Sequence, residues 1–287
     1  MKAPTMLDTI QSLLGTPACA IPLSFCKPAK TYLLAKVGIS CEQATAILFA
    51  IPYVMTSDAE DTARNISLYA VPKDYHGYLQ ELNKTMLPIL ECSFPANRFA
   101  IFADHSPICE VDAAARAGLG VMGLNGLLIT PRYGSFVFLA EIITDADFET
   151  ITGQDLPCFP PEPPLCEECG NCLKACPAGC RLGERAGCLS ALTQKKGDLT
   201  ADETDRIQKN GLVWGCDACQ LSCPHNIRVI QNGIDTPIPY FRENRLSHLD
   251  TAALDTMSDV EFASRAYAWR GRSVIRRNLL LMEHDQD

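Results

Sequence analysis

Two short apolar runs, 46–54 (AILFAIPYV) and 98–103 (RFAIFA), carry the pattern of buried strands. Between them, 75–90 (YHGYLQELNKTMLPIL) spaces its apolar residues as a helix does, with Pro88 expected near the helix end. Residues 112–119 predict another helix, stopped by the glycines Gly118 and Gly120. The segments 126–130 and 136–144 (FVFLAEIIT) read as strands separated by the turn Pro131-Arg-Tyr-Gly134. Alternating strands and helices make this half α/β or α+β. Residues 156–165 hold five of the nineteen prolines and form a stiff, donor-poor linker. Beyond it the pattern is loops and short helices, with a polar helix over 200–210. The expected divisions are 1–155, 156–230 and a helical extension over 231–287 that packs back on the core.

Composition narrows the class. At 287 residues and 47% hydrophobic, the chain can bury a large core and is expected to hold two domains. A net charge of −9 argues against coating nucleic acid through the whole surface. One local basic patch stands out, Arg270 to Arg277, with four Arg in eight residues. The N-terminus has no long apolar core with a cleavage site, so it does not read as a secretory signal. No apolar run approaches the ~20 residues needed to span a bilayer, so no membrane is expected. Fifteen cysteines in such a chain therefore point to a cytoplasmic redox protein rather than a secreted disulfide scaffold.

The cysteines carry the chemistry. Cys166, Cys169, Cys172 and Cys176 stand as C-x2-C-x2-C-x3-C with Pro177 next, and Cys216, Cys219 and Cys223 with Pro224 repeat the last three members. This is the ligand pattern of a bacterial two-cluster ferredoxin, in which the last Cys of each run crosses to the other cluster. A proline directly after that Cys suits a turn away from the loop, since it lacks an N–H for regular pairing. The second run lacks its first Cys, which Cys188 can supply. One [4Fe–4S] cluster is therefore assigned to Cys166, Cys169, Cys172 and Cys223, the other to Cys176, Cys188, Cys216 and Cys219. Zinc needs four ligands per site, usually as two C-x2-C pairs, and fits this crossing pattern poorly. Most of the other seven, 19, 26, 41, 92, 109, 158 and 180, are expected as buried small hydrophobes. Cys180 lies close enough to the first run to be a spare ligand.

Motifs outside the cluster region complete a resemblance. Lys73-Asp-Tyr-His76, Asp104 with Pro107 and Glu110, Ala117-Gly-Leu-Gly120 with Asn125, Tyr133-Gly-Ser-Phe136 and Leu139-Ala-Glu141 lie before the clusters. Cys188-Leu-Ser190, Leu192-Thr-Gln194, Lys196-Gly197, Gly215-Cys-Asp217-x-Cys-Gln220, Trp269-Arg-Gly271 and Arg277-Asn278 lie within or after them. As a set, over about residues 60–280, they resemble the epoxyqueuosine reductases. That resemblance implies an α+β fold: a nitroreductase-like α/β corrinoid-binding domain over 1–155, then a bacterial ferredoxin-like double [4Fe–4S] domain. The implied activity is reduction of epoxyqueuosine to queuosine in tRNA, with cobalamin as the further cofactor and electrons from a donor such as flavodoxin or a reductase.

Site residues follow from the same resemblance. Asp104 matches the general acid, and its place after a strand suits a loop carboxyl protonated by desolvation. Ser67, Leu128, Leu139, Ser190 and Asp217, with Asp104, match corrinoid contacts; His76 and Lys196 match positions facing the substrate. There are departures. Val111 follows Glu110 where relatives carry Arg, Leu124 precedes Asn125 where they carry Lys, and His105-Ser106 replaces Thr-Gly. The chain also stops at Asp287, without the C-terminal repeats of longer relatives. Fewer phosphate-neutralising charges imply weaker tRNA binding. A corrinoid reductase of a small molecule, or a plain ferredoxin-like electron carrier, are the alternatives.

Overall fold

The computed structural model describes residues 4–180 and 187–283. The chain packs as two compact units, Met1–Ile51 with Tyr78–Glu168, and Pro52–Gly77 with Cys169–Asp287. Residues 52–77 pack with the second unit, so neither unit is a single stretch of chain.

The first unit is built on a four-stranded sheet of β1 (Ala18–Pro22), β2 (Thr45–Pro52), β3 (Phe99–Phe102) and β6 (Val137–Thr144), in the order β1-β2-β6-β3. A smaller ribbon pairs β4 (Val121–Met122) with β5 (Leu128–Ile129). All eight residues of β2 are buried, which explains its continuous apolar run: it lies inside the sheet with no solvent face. The edge strand β1, antiparallel to β2, carries only a short apolar run interrupted by Cys19 and Pro22, too brief to be expected from pattern alone. The strands expected at 98–103 and 136–144 are β3 and β6, paired antiparallel with Phe102 opposite Glu141.

The helices were mostly legible. Tyr75–Ser93 continues five residues past Pro88 instead of ending near it. Leu82, Met86 and Leu90 are buried along one face, so packing holds the turn that the proline cannot hydrogen-bond. The helix expected at 112–119 runs Glu110–Arg116.

The second unit holds its own core, in which Ile66, Val213, Trp214, Leu254, Tyr267 and Ile275 are buried together. Leu189, Leu192 and Ile207 form a satellite cluster. The polar helix Ala201–Asn210 starts from a capping box between Thr200 and Glu203. Asn278 is fully buried and donates both Nδ2 protons, to the carbonyls of Thr193 and Val213 at 2.8 Å each. Its Oδ1 accepts from Arg277, which also donates to the carbonyls of Lys195 and Gly197. The Arg277-Asn278 pair thus staples the last long helix, Arg272–Glu283, to the turn after Leu189–Thr193. Among the described residues no helix is long and apolar enough to cross a membrane.

Candidate functional site

In the first unit, β3 ends at Phe102 and the chain turns sharply into the loop that carries Asp104. Asp104 has φ +58°, a left-handed conformation uncommon for a residue with a Cβ. It is held there by Glu110, whose two carboxylate oxygens accept the Asp104 N–H at 3.0 and 3.1 Å. The Asp104 side chain is exposed, as is that of His105. His105 lies between Lys30 Nζ, 3.1 Å from Nδ1, and Tyr32 OH, 3.0 Å from Nε2. Ser106 turns inward: its buried hydroxyl donates to Glu141 Oε1 at 2.5 Å and accepts the Ile108 N–H at 3.1 Å.

Glu110 and Glu141 face each other. Burial is the main cause that lifts the Glu110 carboxyl to about 7, partly offset by the Asp104 N–H, with the Asp104 charge adding to the rise. Glu141 is fully buried on β6, and burial together with the Glu110 charge pushes its carboxyl well above the ordinary range. A buried carboxyl in contact with a half-buried one favours one shared proton over two negative charges. Glu141 Oε2 is buried and accepts from no donor.

In the second unit, Asp217 is the centre of a buried network. Its carboxylate accepts from Arg64 Nη1 at 2.6 Å, from the Ser67 hydroxyl and from the Leu68 N–H at 3.0 and 3.2 Å. Burial pushes this carboxyl up, against the pull of Arg64. Gly215 is required beside it: its φ is +79° and a Cβ there would collide with Ser67. These bonds fix the loop that begins the second cysteine run.

All fifteen cysteines are free of disulfides. Cys176, Cys188 and Cys216 lie near enough to feel one another's charge, and Cys180 makes hydrogen-bonding contact with Cys176 and Cys188. Burial and these neighbouring thiols lift Cys180 to about 11. Cys219 lies on the helix Ala218–Leu221, which packs on Asn171–Ala175, the helix that carries Cys172. Cys223 caps the helix Pro224–Gln231, and Pro224 occupies its first turn, where a missing N–H costs nothing. There the proline starts a helix instead of only ending a turn. Cys166 donates its N–H to the Met122 carbonyl within the first unit. Among the described residues no three His, Cys, Asp or Glu side chains gather tightly enough for a single metal ion. A cubane, by contrast, spreads four thiolates over four iron corners. The expectation for the remaining cysteines needs correction: Cys41, Cys92, Cys109 and Cys158 are exposed, because they stand on loops and on the outer face of a helix.

The matched corrinoid positions separate by accessibility. Leu139 on β6 and Ser190 on Leu189–Thr193 are partly exposed; Ser67, Leu128 and Asp217 are buried, at 0%, 3% and 2% exposure. Their side chains can shape the backbone around a ligand but present little surface to it. His76 is exposed and bonded through Nδ1 to Asp74 at 2.7 Å, and Lys196 is exposed. In the basic patch, Arg272 donates to the Leu254 and Met257 carbonyls, Arg276 pairs with Asp255, and Arg277 serves the staple described above. Arg270 stacks on the exposed ring of Trp269, 3.7 Å from its centroid. Arg64 and Glu141 were missed as site residues. A Glu inside the apolar run FVFLAEIIT was the available signal, since an unpaired charge is rarely buried there.

Residues 165–226 match the family of 4Fe–4S double cluster binding domains, a span that contains all eight assigned cysteines. The chain is thus an iron–sulfur protein with an α+β fold. Over 223 residues it is 36% identical to an epoxyqueuosine reductase of Listeria monocytogenes, covering 73% of this chain and 54% of that one. The structure of epoxyqueuosine reductase from Streptococcus thermophilus shares its fold, with TM-score 0.71 and 23% identity over 98% of this chain and 80% of that one. An epoxyqueuosine reductase solved with an epoxyqueuosine-modified tRNA-Tyr stem loop is 26% identical, TM-score 0.66, covering 96% and 79%. The chain is a relative of the epoxyqueuosine reductases, and it spans about half the length of the Listeria protein.

Proposed function

We propose that this protein is a cytoplasmic, cobalamin-dependent iron–sulfur oxidoreductase that reduces epoxyqueuosine to queuosine in tRNA. The observation that carries the reading is its relation to the epoxyqueuosine reductases, one of which was solved with its modified tRNA stem loop. Bound cobalamin would supply a reducing cobalt centre, and the [4Fe–4S] clusters would supply single electrons from a donor such as flavodoxin or a reductase. The thiolates of Cys166, Cys169, Cys172 and Cys223 would hold one cluster, and those of Cys176, Cys188, Cys216 and Cys219 the other. The free thiols converging at Cys176, Cys188 and Cys216 suit the second set. In the first unit Leu139 offers accessible apolar surface to a corrin, with Leu128 buried; in the second Ser190 offers an accessible hydroxyl, with Ser67 and Asp217 buried.

The chain's own chemical part is proton delivery. Removing an epoxide oxygen leaves negative charge on that oxygen, and Asp104 is the acid that would give it a proton. Its side chain stands exposed at the tip of a pinned loop, so the enclosed, desolvated setting expected from the sequence is corrected: only a bound substrate could enclose this carboxyl. His76 and Lys196 would contact the substrate.

A second reading, a corrinoid reductase of a small molecule, draws on the basic patch. Three of its four arginines are already bonded within the protein, which leaves little free charge for phosphates. Incubating anaerobically reconstituted protein with tRNA carrying epoxyqueuosine, then digesting it to nucleosides, separates the two. Appearance of queuosine supports the first; unchanged epoxyqueuosine with cobalamin bound supports the second.

A further inference from the structure

Asp104, His105 and Ser106 are each held by a different partner, and two of the three holds end in the same pair of acids. Glu110 takes the backbone of Asp104 with both oxygens; Glu141 takes the Ser106 hydroxyl. The two carboxyls then meet behind the loop. Glu110 comes from the first turn of the following helix and Glu141 from the strand opposite Phe102, so both anchors belong to regular structure. Asp104 is not a glycine, though Asp tolerates the left-handed region better than most residues, and the His105 N–H closes a tight turn onto the Ala103 carbonyl; the Glu110 bond adds an anchor from outside that turn.

We propose that Glu110 and Glu141 are positioning residues that share one proton and latch the Asp104–Ser106 loop in its working conformation. This deepens the assignment of Asp104 as the acid and rests on it for its consequence in turnover. The proton sits on Glu141, which donates it to the Glu110 carboxylate and still accepts from Ser106 through Oε1. Glu110, ionised, then holds the Asp104 N–H with full charge, a bond roughly twice as strong as a neutral one. A second proton neutralises Glu110 and weakens that bond. Loss of the shared proton puts two charges face to face in a buried site and drives them apart.

The neighbours are consistent with this balance. The Asp104 carboxyl and the Lys30 ammonium face Glu110, His105 lies against Lys30, and the Cys26 thiol lies near Glu141. Asp112, on the same helix as Glu110, is taken by Lys27 at 2.9 Å and Arg116 at 3.7 Å, so it does not compete. The pair is also placed to tie the acid's position to pH without changing the acid itself.

Hydrogen–deuterium exchange on the cluster-replete protein, corrected for intrinsic rates, reads the latch without any substrate. Glu110→Ala and Ser106→Ala should each speed exchange over 103–109 at least tenfold while β6 stays protected. In wild type, protection of that segment should rise as pH passes upward through about 7, where Glu110 ionises. With tRNA substrate, Glu110→Gln should lower kcat with KM within twofold, and should remove the kcat limb near that pH. Unchanged exchange over 103–109 in both alanine variants would overturn the latch. If exchange responds as expected while wild type leaves epoxyqueuosine intact, the latch stands and the proposed activity falls.

Discussion

Asp217 and Arg64 form an ion pair of 2.6 Å with both side chains buried, 153 residues apart in sequence. The pair joins the segment before Ser67 to the loop between Cys216 and Cys219, so cluster ligands and the 52–77 segment share one anchor. Removing one partner strands a buried charge, which typically costs 3–5 kcal/mol. Asp217→Ala should therefore lower stability by about 3–5 kcal/mol in urea melts of the second unit's signal. The double change Arg64→Met with Asp217→Leu should recover much of that loss, and equal melts for the single and double variants would show that the pair is not the anchor.

Iron analysis and Mössbauer spectra test the cluster assignment. Two cubanes require about eight iron and eight sulfide per chain. Cys188→Ser should damage one cluster and leave the other, whereas Cys180→Ser should keep both. The reverse outcome would make Cys180, which lies in contact with Cys176 and Cys188, the ligand.

Asp104→Asn keeps the shape of the side chain and removes its proton. Turnover should fall by about 10²–10⁴-fold, the usual contribution of a positioned general acid, with cobalamin binding and both clusters retained. Activity within a few-fold of wild type would pass the donor's role to His76 or to a bound water.

Stability should depend on pH through the acid pair. The folded carboxyls of Glu110 and Glu141 lie above their ordinary values, so the folded chain binds more protons than the unfolded one. Their contribution is present at low pH and lost as pH rises from about 4.5 through 7. Urea midpoints of wild type should fall across that range, and Glu141→Gln should flatten the slope. An identical slope in the variant would place the dependence elsewhere.

Among the cations, effects on tRNA affinity and on stability should separate. Lys196→Ala and Arg270→Ala should weaken binding of a tRNA stem loop and reduce its salt dependence, since both lie outside the internal network. Arg277→Ala should instead lower the melting temperature, because it frees the Lys195 and Gly197 carbonyls and loosens Asn278. Melting curves and binding at two salt concentrations distinguish the groups.

What the sequence determined by itself is local or covalent in origin. The spacing of Cys166 to Cys176 and of Cys216 to Cys223 is set by the reach of a tight loop, so clusters are legible before any fold is known. The long runs at β2 and in the second half of β6 are legible for a similar reason: burial on both faces leaves a continuous apolar stretch. Tertiary structure decided the rest. Strand β1 has too short a pattern to announce itself and exists because β2 needs a partner. The helix through Pro88 persists because Leu90 is buried beyond it. Arg277 looked like a free cation of a basic patch and is a staple, since carbonyls 80 and 82 residues away come within reach only on folding. Glu110 and Glu141 are 31 residues apart in the chain. Their contact arises only when β6 lies beside β3, which buries Glu141 and half-buries Glu110 next to the loop they hold.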